Sequence, residues 1–241
     1  MIDIKNVTKR FGDFTVLDRC NTSVRKGEVV VICGPSGSGK STLIRCVNGL
    51  EPISDGAITV DGIPVGHGSQ LRSIRRKVGM VFQHFELFPH LSIMENVVMA
   101  QRLVLQRDDE TSRAKAIALL TRIGLRAHAD KFPGQLSGGQ QQRVAIVRAL
   151  SMDPQGILFD EPTSALDPEM VSEVLDLLGE LAAEGMTMMI VTHEMGFARR
   201  VSDRVVFMDH GSIVEDVSKD EFFDAPRSDR ARDFLTRVIR H

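Results

Sequence analysis

The chain has 241 residues, 42% of them hydrophobic and 26% charged, with a formal net charge of −2. That balance belongs to an ordinary globular protein, and bulk charge gives no reason to make nucleic acid the main partner. No run approaches the roughly 20 apolar residues that cross a bilayer, no charged-then-apolar leader opens the chain, so no secretory signal is expected, and three scattered cysteines read as buried thiols rather than a disulfide framework.

In chain order, residues 1–32 read as short strands separated by turns. Ile2-Asp3-Ile4 alternates, Gly12-Asp13 marks a turn, and Lys26-Gly27-Glu28 punctuates before a β-branched run that ends at Cys33. A continuous apolar run of that length predicts a strand buried on both faces, as in a parallel sheet. A glycine-rich loop and a helix over 40–50 follow. Further strands are expected at 56–62 and 78–82. From 91 to 150 strand signals vanish and helical spacing takes over, with Ala114, Ile117, Ala118, Leu120 and Ile123 recurring at that spacing. The core resumes with a strand from 156, a helix over 168–184 carrying Val171, Val174, Leu175, Leu178 and Leu181, and a buried strand over 186–191. Strands alternating with helices predict a doubly wound α/β fold with a helical insertion.

Three motifs carry chemistry. Gly34-Pro35-Ser36-Gly37-Ser38-Gly39-Lys40-Ser41, followed by Thr42, fits G-x-x-x-x-G-K-[ST] between an expected strand and an expected helix. Its glycines let successive N–H groups face phosphate oxygens, the helix start adds positive potential, Lys40 supplies a charge for the β- and γ-phosphates, and Ser41 is a Mg²⁺ ligand. The strand over 157–161 ends in Asp160 and Glu161, whose side chains point to opposite faces. Asp160 suits the Mg²⁺ sphere and Glu161 suits polarisation of an attacking water, although acids at a strand end also fit an exposed turn. Leu136-Ser137-Gly138-Gly139-Gln140 opens a helical run, with Ser137 as N-cap and a second anion-binding helix start. Gln83, His193 and Phe11 stand where they could sense Mg²⁺ and water, touch a γ-phosphate and stack on adenine. Each, taken alone, also fits a purely structural role.

The order and spacing of the P-loop, Gln83, residues 136–140, Asp160-Glu161, Ser164-Ala165-Leu166-Asp167 and His193 resemble the ATP-binding subunits of ABC transporters over essentially the whole chain. Asn48-Gly49-Leu50-Glu51-Pro52, Leu87-Phe88-Pro89-His90 and the run from Met186 to Ala198 resemble importers of polar amino acids. Cys33, His84-Phe85-Glu86, Ala127-His128-Ala129 and Phe222-Phe223-Asp224 are similar to those for glutamate and aspartate. Importers of glutamine, histidine or arginine, and a non-transport ABC ATPase, are the alternatives. Two positions depart from the family pattern: Phe11 replaces a tyrosine at the adenine-stacking position, and Val147 an alanine.

The resemblance implies a P-loop NTPase (RecA-like) core with an N-terminal antiparallel β subdomain and an inserted helical subdomain. It implies a single ABC ATP-binding domain over 1–241, divided into a core of 1–84 and 155–241 and a helical signature subdomain of 85–154. ATP and Mg²⁺ are the implied cofactors, with Ser41, Gln83 and Asp160 at the metal and Glu161, His193 and Gln83 catalytic. Ser137, Gly138, Gly139 and Gln140 would act on the ATP of a second copy in a homodimer, with Ser164 to Asp167 as the D-loop. Two integral membrane permease subunits are implied at Phe85, Leu87, Phe88 and Pro89, with an extracytoplasmic binding protein beyond them. The implied location is peripheral, on the cytoplasmic face of the inner membrane.

Overall fold

A computed structural model describes residues 1–66 and 68–239. The N-terminal strands are longer than expected. β1 (Ile2–Phe11) and β2 (Phe14–Val24) form a hairpin across Gly12-Asp13, and β4 (Asp55–Val60) with β5 (Ile63–Pro64) completes an antiparallel sheet in the order β2-β1-β4-β5.

The second sheet is the scaffold of the molecule. β3 (Val29–Cys33), β6 (Val78–Val81), β7 (Gly156–Asp160), β8 (Thr187–Val191) and β9 (Arg204–Asp209) run parallel, and β10 (Ser212–Ser218) closes one edge antiparallel to β9. The order is β10-β9-β3-β8-β7-β6. Every residue of β3, β7 and β8 is buried, as a continuous apolar run predicts for a sheet covered on both sides. Alternation then sorts β3 between two cores. Val29, Val31 and Cys33 face one, with the helices that follow β6, while Val30 and Ile32 face the other, with the antiparallel sheet.

Helices cover both faces: α1 (Lys40–Val47), α2 (Ser69–Lys77), α3 (Ile93–Leu105), α4 (Asp109–Arg122), α5 (Gly138–Leu150), α6 (Pro168–Ala183), α7 (Met195–Val201), α8 (Lys219–Asp224) and α9 (Asp229–Ile239). α3, α4 and α5 are inserted between β6 and β7, yet their apolar residues join the main core rather than a separate one. The apolar residues at helical spacing on α4 do not all face the core. Ala114 and Ala118 are exposed, and Ser112, Ala116, Leu120 and the following Ile123 are buried. Two small alanines carry too little apolar area to decide which face turns inward, whereas Leu120 and Ile123 do. On α6 the buried face includes Leu177 beside Val174, Leu178 and Leu181, and Val147 of α5 is fully buried. The sequence pattern marks no element at α2 or after residue 195. α2 is strongly polar with only Ile74 buried, so it lacked the apolar stripe that announces a helix.

Candidate nucleotide site

The C-terminal ends of four adjacent parallel strands collect the sequence-predicted residues. The P-loop follows β3, His193 follows β8, Glu161 follows β7 and Gln83 follows β6. Ligands in open α/β sheets bind at such strand ends.

The loop from Gly34 to Gly39 is shaped by backbone contacts that exclude any other residue at two positions. Gly34 has φ +144, and a Cβ there would run into the carbonyl oxygen of Met208 at the end of β9. Gly39, the N-cap of α1, has φ +97, and its Cβ would lie 2.8 Å from Leu17 Cδ2 and 2.9 Å from the Val16 carbonyl oxygen. Gly211, in the turn after β9, donates its N–H to the Ser38 carbonyl at 3.2 Å, so the β9–β10 turn brackets the loop from outside. Val16, Ser36, Gly37, Gly39, Lys40, Ser41, Thr42 and Glu161 together line a cavity of about 220 Å³.

Lys40 is buried, and its ammonium donates to the Gly34 and Pro35 carbonyls at 2.9 and 2.8 Å. Burial lowers its pKa from the ordinary lysine value, opposed by the charges of Glu161 and Asp160. The two neighbouring carboxylates diverge. Asp160 is 1% exposed and gives Oδ2 to Arg45 of α1 at 3.0 Å, while Oδ1 is buried without a hydrogen-bond partner among the described residues. A buried carboxylate oxygen left open in this way, with Ser41 one turn before Arg45 on the helix that pairs with Asp160, is a donor set that fits a hard, oxygen-preferring cation. Glu161 turns toward the cavity instead. It sits at φ +49, an uncommon conformation for a non-glycine residue, and its N–H still donates to the Val191 carbonyl of β8 at 3.0 Å. His193 Nε2 lies 3.3 Å from Glu161 Oε1, and this hydrogen bond holds the Glu161 pKa below the usual carboxylate value.

Other expected residues stand apart from the cavity. Phe11 ends β1, 50% exposed and outside the cavity lining, with the Lys9 ammonium 4.4 Å from its ring centroid. Lys9 is itself fixed by Pro52 O at 2.8 Å and Glu51 at 3.2 Å. Gln83 is half-buried beyond β6 and does not line the cavity either.

Ser137 caps α5 in a capping box. Its hydroxyl accepts from Gln140 N at 3.3 Å, and Gln140 Oε1 accepts from Ser137 N at 3.1 Å. Gly139 donates its N–H to the Met170 sulfur at 3.4 Å, and Gly138 lies against Leu166 of the Ser164–Asp167 segment. None of these signature residues lines the P-loop cavity of the same chain.

A second, larger groove of about 890 Å³ lies between α2, β6 and α3, lined in part by Arg72, Arg75, Met80, Phe88, Met99 and Val104. Of the four residues expected to meet a membrane subunit, Phe88 lines this groove and is 39% exposed, and Pro89 is exposed beside it. Phe85 and Leu87 are half-buried, Leu87 against the main core. Sequence reasoning missed Arg45, Val16, Lys9 and the Met208–Gly211 turn, because each acts on the site from another element and carries no motif of its own. Among the described residues no helix is long and apolar enough to cross a membrane.

Residues 17–164 match the family model for the ABC transporter. The chain is 68% identical to the glutamate/aspartate import ATP-binding protein of Escherichia coli (strain K12), over 99% of this chain and 100% of that one. It is 52% identical to the glutamine transport ATP-binding protein of Bacillus subtilis (strain 168), with both chains fully covered. Among solved structures it resembles a dimeric ATP-binding cassette in a post-hydrolysis state bound to ADP and Pi. There the TM-score is 0.82 and the identity 37%, over 91% of this chain and 99% of that one.

Proposed function

The chain belongs to the ABC transporter family, as one of its ATPases, and from that premise we propose that it energises the import of glutamate and aspartate. The observation that carries the ATPase half is the convergence of Lys40, Ser41, Asp160, Glu161 and His193 at neighbouring strand ends. The substrate half rests on the 68% identity to an importer subunit for those amino acids over the whole chain.

In this reading residues 34–42 hold the ATP phosphates, with Lys40 leaving its own loop's carbonyls for the β- and γ-phosphates. Ser41, Asp160 and Gln83 would hold Mg²⁺, which when bound would supply positive charge to the phosphates. Glu161, ionised and oriented by His193, polarises the attacking water, and His193 meets the γ-phosphate. Phe11, steadied by Lys9, stacks on adenine; the ring suffices, so the missing tyrosine hydroxyl costs nothing in this role.

Because Ser137, Gly138, Gly139 and Gln140 lie away from their own chain's cavity, the site is completed by a second copy arranged head to tail, with residues 164–167 between the two sites. The homodimer docks through the groove at Phe88 and Pro89 onto two integral membrane permease subunits, at the cytoplasmic face of the inner membrane, and these in turn receive amino acid from a binding protein outside. The chain divides functionally into the core of 1–84 with 155–241 and the signature subdomain of 85–154.

The test is to isolate the tagged protein from gently solubilised native membranes and measure ATP hydrolysis by what co-purifies. Two integral membrane subunits, and hydrolysis that rises with glutamate or aspartate plus the extracytoplasmic binding protein, are the expected result. Stimulation by glutamine or histidine instead would overturn the substrate, and an eluate without membrane subunits would overturn transport while leaving the ATP chemistry.

A further inference from the structure

After Val81 the chain leaves the sheet, and before Ile93 it has no strand or helix to hold it. Within that stretch, residues 82–86 are held by α5, while Asn96 of α3 holds Phe88 through its N–H and its carbonyl. Gln142 donates its side-chain amide to the Phe82 carbonyl at 3.2 Å, and Arg148 donates from Nη1 to the Glu86 carbonyl at 2.6 Å and from Nη2 to the Phe85 carbonyl at 3.3 Å. Phe85 and Glu86 are consecutive non-glycine residues in the left-handed region, at φ 49 and 50. Such a pair persists only when its surroundings hold it there, and one planar guanidinium takes both of its carbonyls. The same guanidinium lies 5.9 Å from the centroid of the Phe88 ring. At the other end of the segment's reach, the Phe85 ring tip lies 3.5 Å from where a Gly138 Cβ would stand.

α5 is therefore a strut of 13 residues, about 20 Å long, with the signature glycines at its N-terminus and Arg148 near its C-terminus at the docking groove. Gln83 lies between the two anchors, Phe82 on one side and Phe85-Glu86 on the other. We propose that Arg148, seconded by Gln142, is a positioning residue that locks segment 82–86 to the signature helix, so that a partner pressing on the Phe88 ring beside Arg148 shifts Gln83 and residues 137–139 as one body. The proposal rests on the groove being the permease dock, as read above. A lysine at 148 keeps the charge and most of the stem but lacks the planar fork that grips two carbonyls at once.

The experiment compares the unmodified protein with Arg148→Lys, alone and in the membrane complex. In the variant, kcat and KM of the isolated protein stay within about twofold, and the membrane subunits co-purify in unchanged amount. Stimulation of hydrolysis by amino acid and binding protein falls at least about fivefold. Hydrogen exchange of amides 83–86 quickens while that of 144–150 does not. Unchanged stimulation, lost co-purification, or equal quickening in α5 each overturns the proposal, the last two by showing a docking or general folding role.

Should Arg148→Lys fail to fold, Gln142→Met carries the test: a loss of stimulation of about two- to threefold is expected, and none refutes the lock. If the unmodified complex is not stimulated at all, the transport reading has failed. The exchange comparison on the isolated protein then decides the lock by itself.

Discussion

The nucleotide end and the groove end of this chain are held in place by different materials. Around residues 34–42 shape comes from backbone: glycines packed against the Val16 and Met208 carbonyls, a turn amide on Ser38, and a strand buried along its whole length. Around 82–90 it comes from side chains reaching over from α5 and α3, with Asn96 holding Phe88 through both its N–H and its carbonyl at 2.8 and 3.1 Å. Backbone contacts have no freedom of identity, so Gly34 and Gly39 admit almost no substitution. Side-chain ties can be tuned or cut singly, so under the proposed docking the second region would lose coupling while the chemistry survives.

Gly34→Ala would strike the backbone-built region hardest. With φ +144 and the Met208 carbonyl in the way, the loop must move or the strand must. A loss of about 3 kcal/mol or more is expected, with nucleotide binding abolished, as read by thermal unfolding and fluorescent ATP titration. A variant that unfolds normally and binds ATP would show that the loop yields. Glu161→Gln tests chemistry on the same scaffold. Hydrolysis should fall roughly 10²- to 10⁴-fold while ATP still binds, so that a stable ATP-bound dimer accumulates in size-exclusion chromatography. Rapid turnover would remove Glu161 from the role of water activator.

Phe88→Asp addresses the side-chain-built region. Being 39% exposed, the ring can be replaced at little cost to folding, within about 1 kcal/mol. ATP affinity should hold while amino-acid uptake drops about tenfold; normal uptake would place the dock elsewhere. His193→Ala is a finer probe. The His193 hydrogen bond keeps Glu161 ionised to lower pH than an ordinary glutamate, with the Lys40 charge adding to it and burial opposing it. Removing the imidazole lets that pKa rise, so the acid limb of the hydrolysis profile should move to higher pH; an unmoved limb means that the pair does not set the protonation of Glu161.

The smallest effect is a null one. Cys20, Cys33 and Cys46 are free and buried, and burial raises Cys20 to about 11 and Cys46 to about 12, with Cys33 higher still. Alkylation at pH 8 should label none of them until the protein is denatured. Native labelling of Cys33 would show that the strand beneath the P-loop opens.

Much of this was legible in the chain itself. The P-loop, the Asp160-Glu161 strand end and the Ser137 cap each depend on local geometry, in which a glycine, a strand end or a helix start accepts only a few residue types. For the same reason the buried runs at 29–33, 156–160 and 187–191 could be read as strands of one parallel sheet. Tertiary structure decided whatever depends on elements distant in sequence. It placed Arg45 on Asp160, Met208 against Gly34, and Arg148 on the carbonyls of Phe85 and Glu86. It also turned α4 by its bulkier residues and left Phe11 and Gln83 outside the cavity of a single chain. A motif records what one stretch of backbone requires of its own residues. A side chain that reaches another element leaves no such record, because its partner is chosen by the packing of the two.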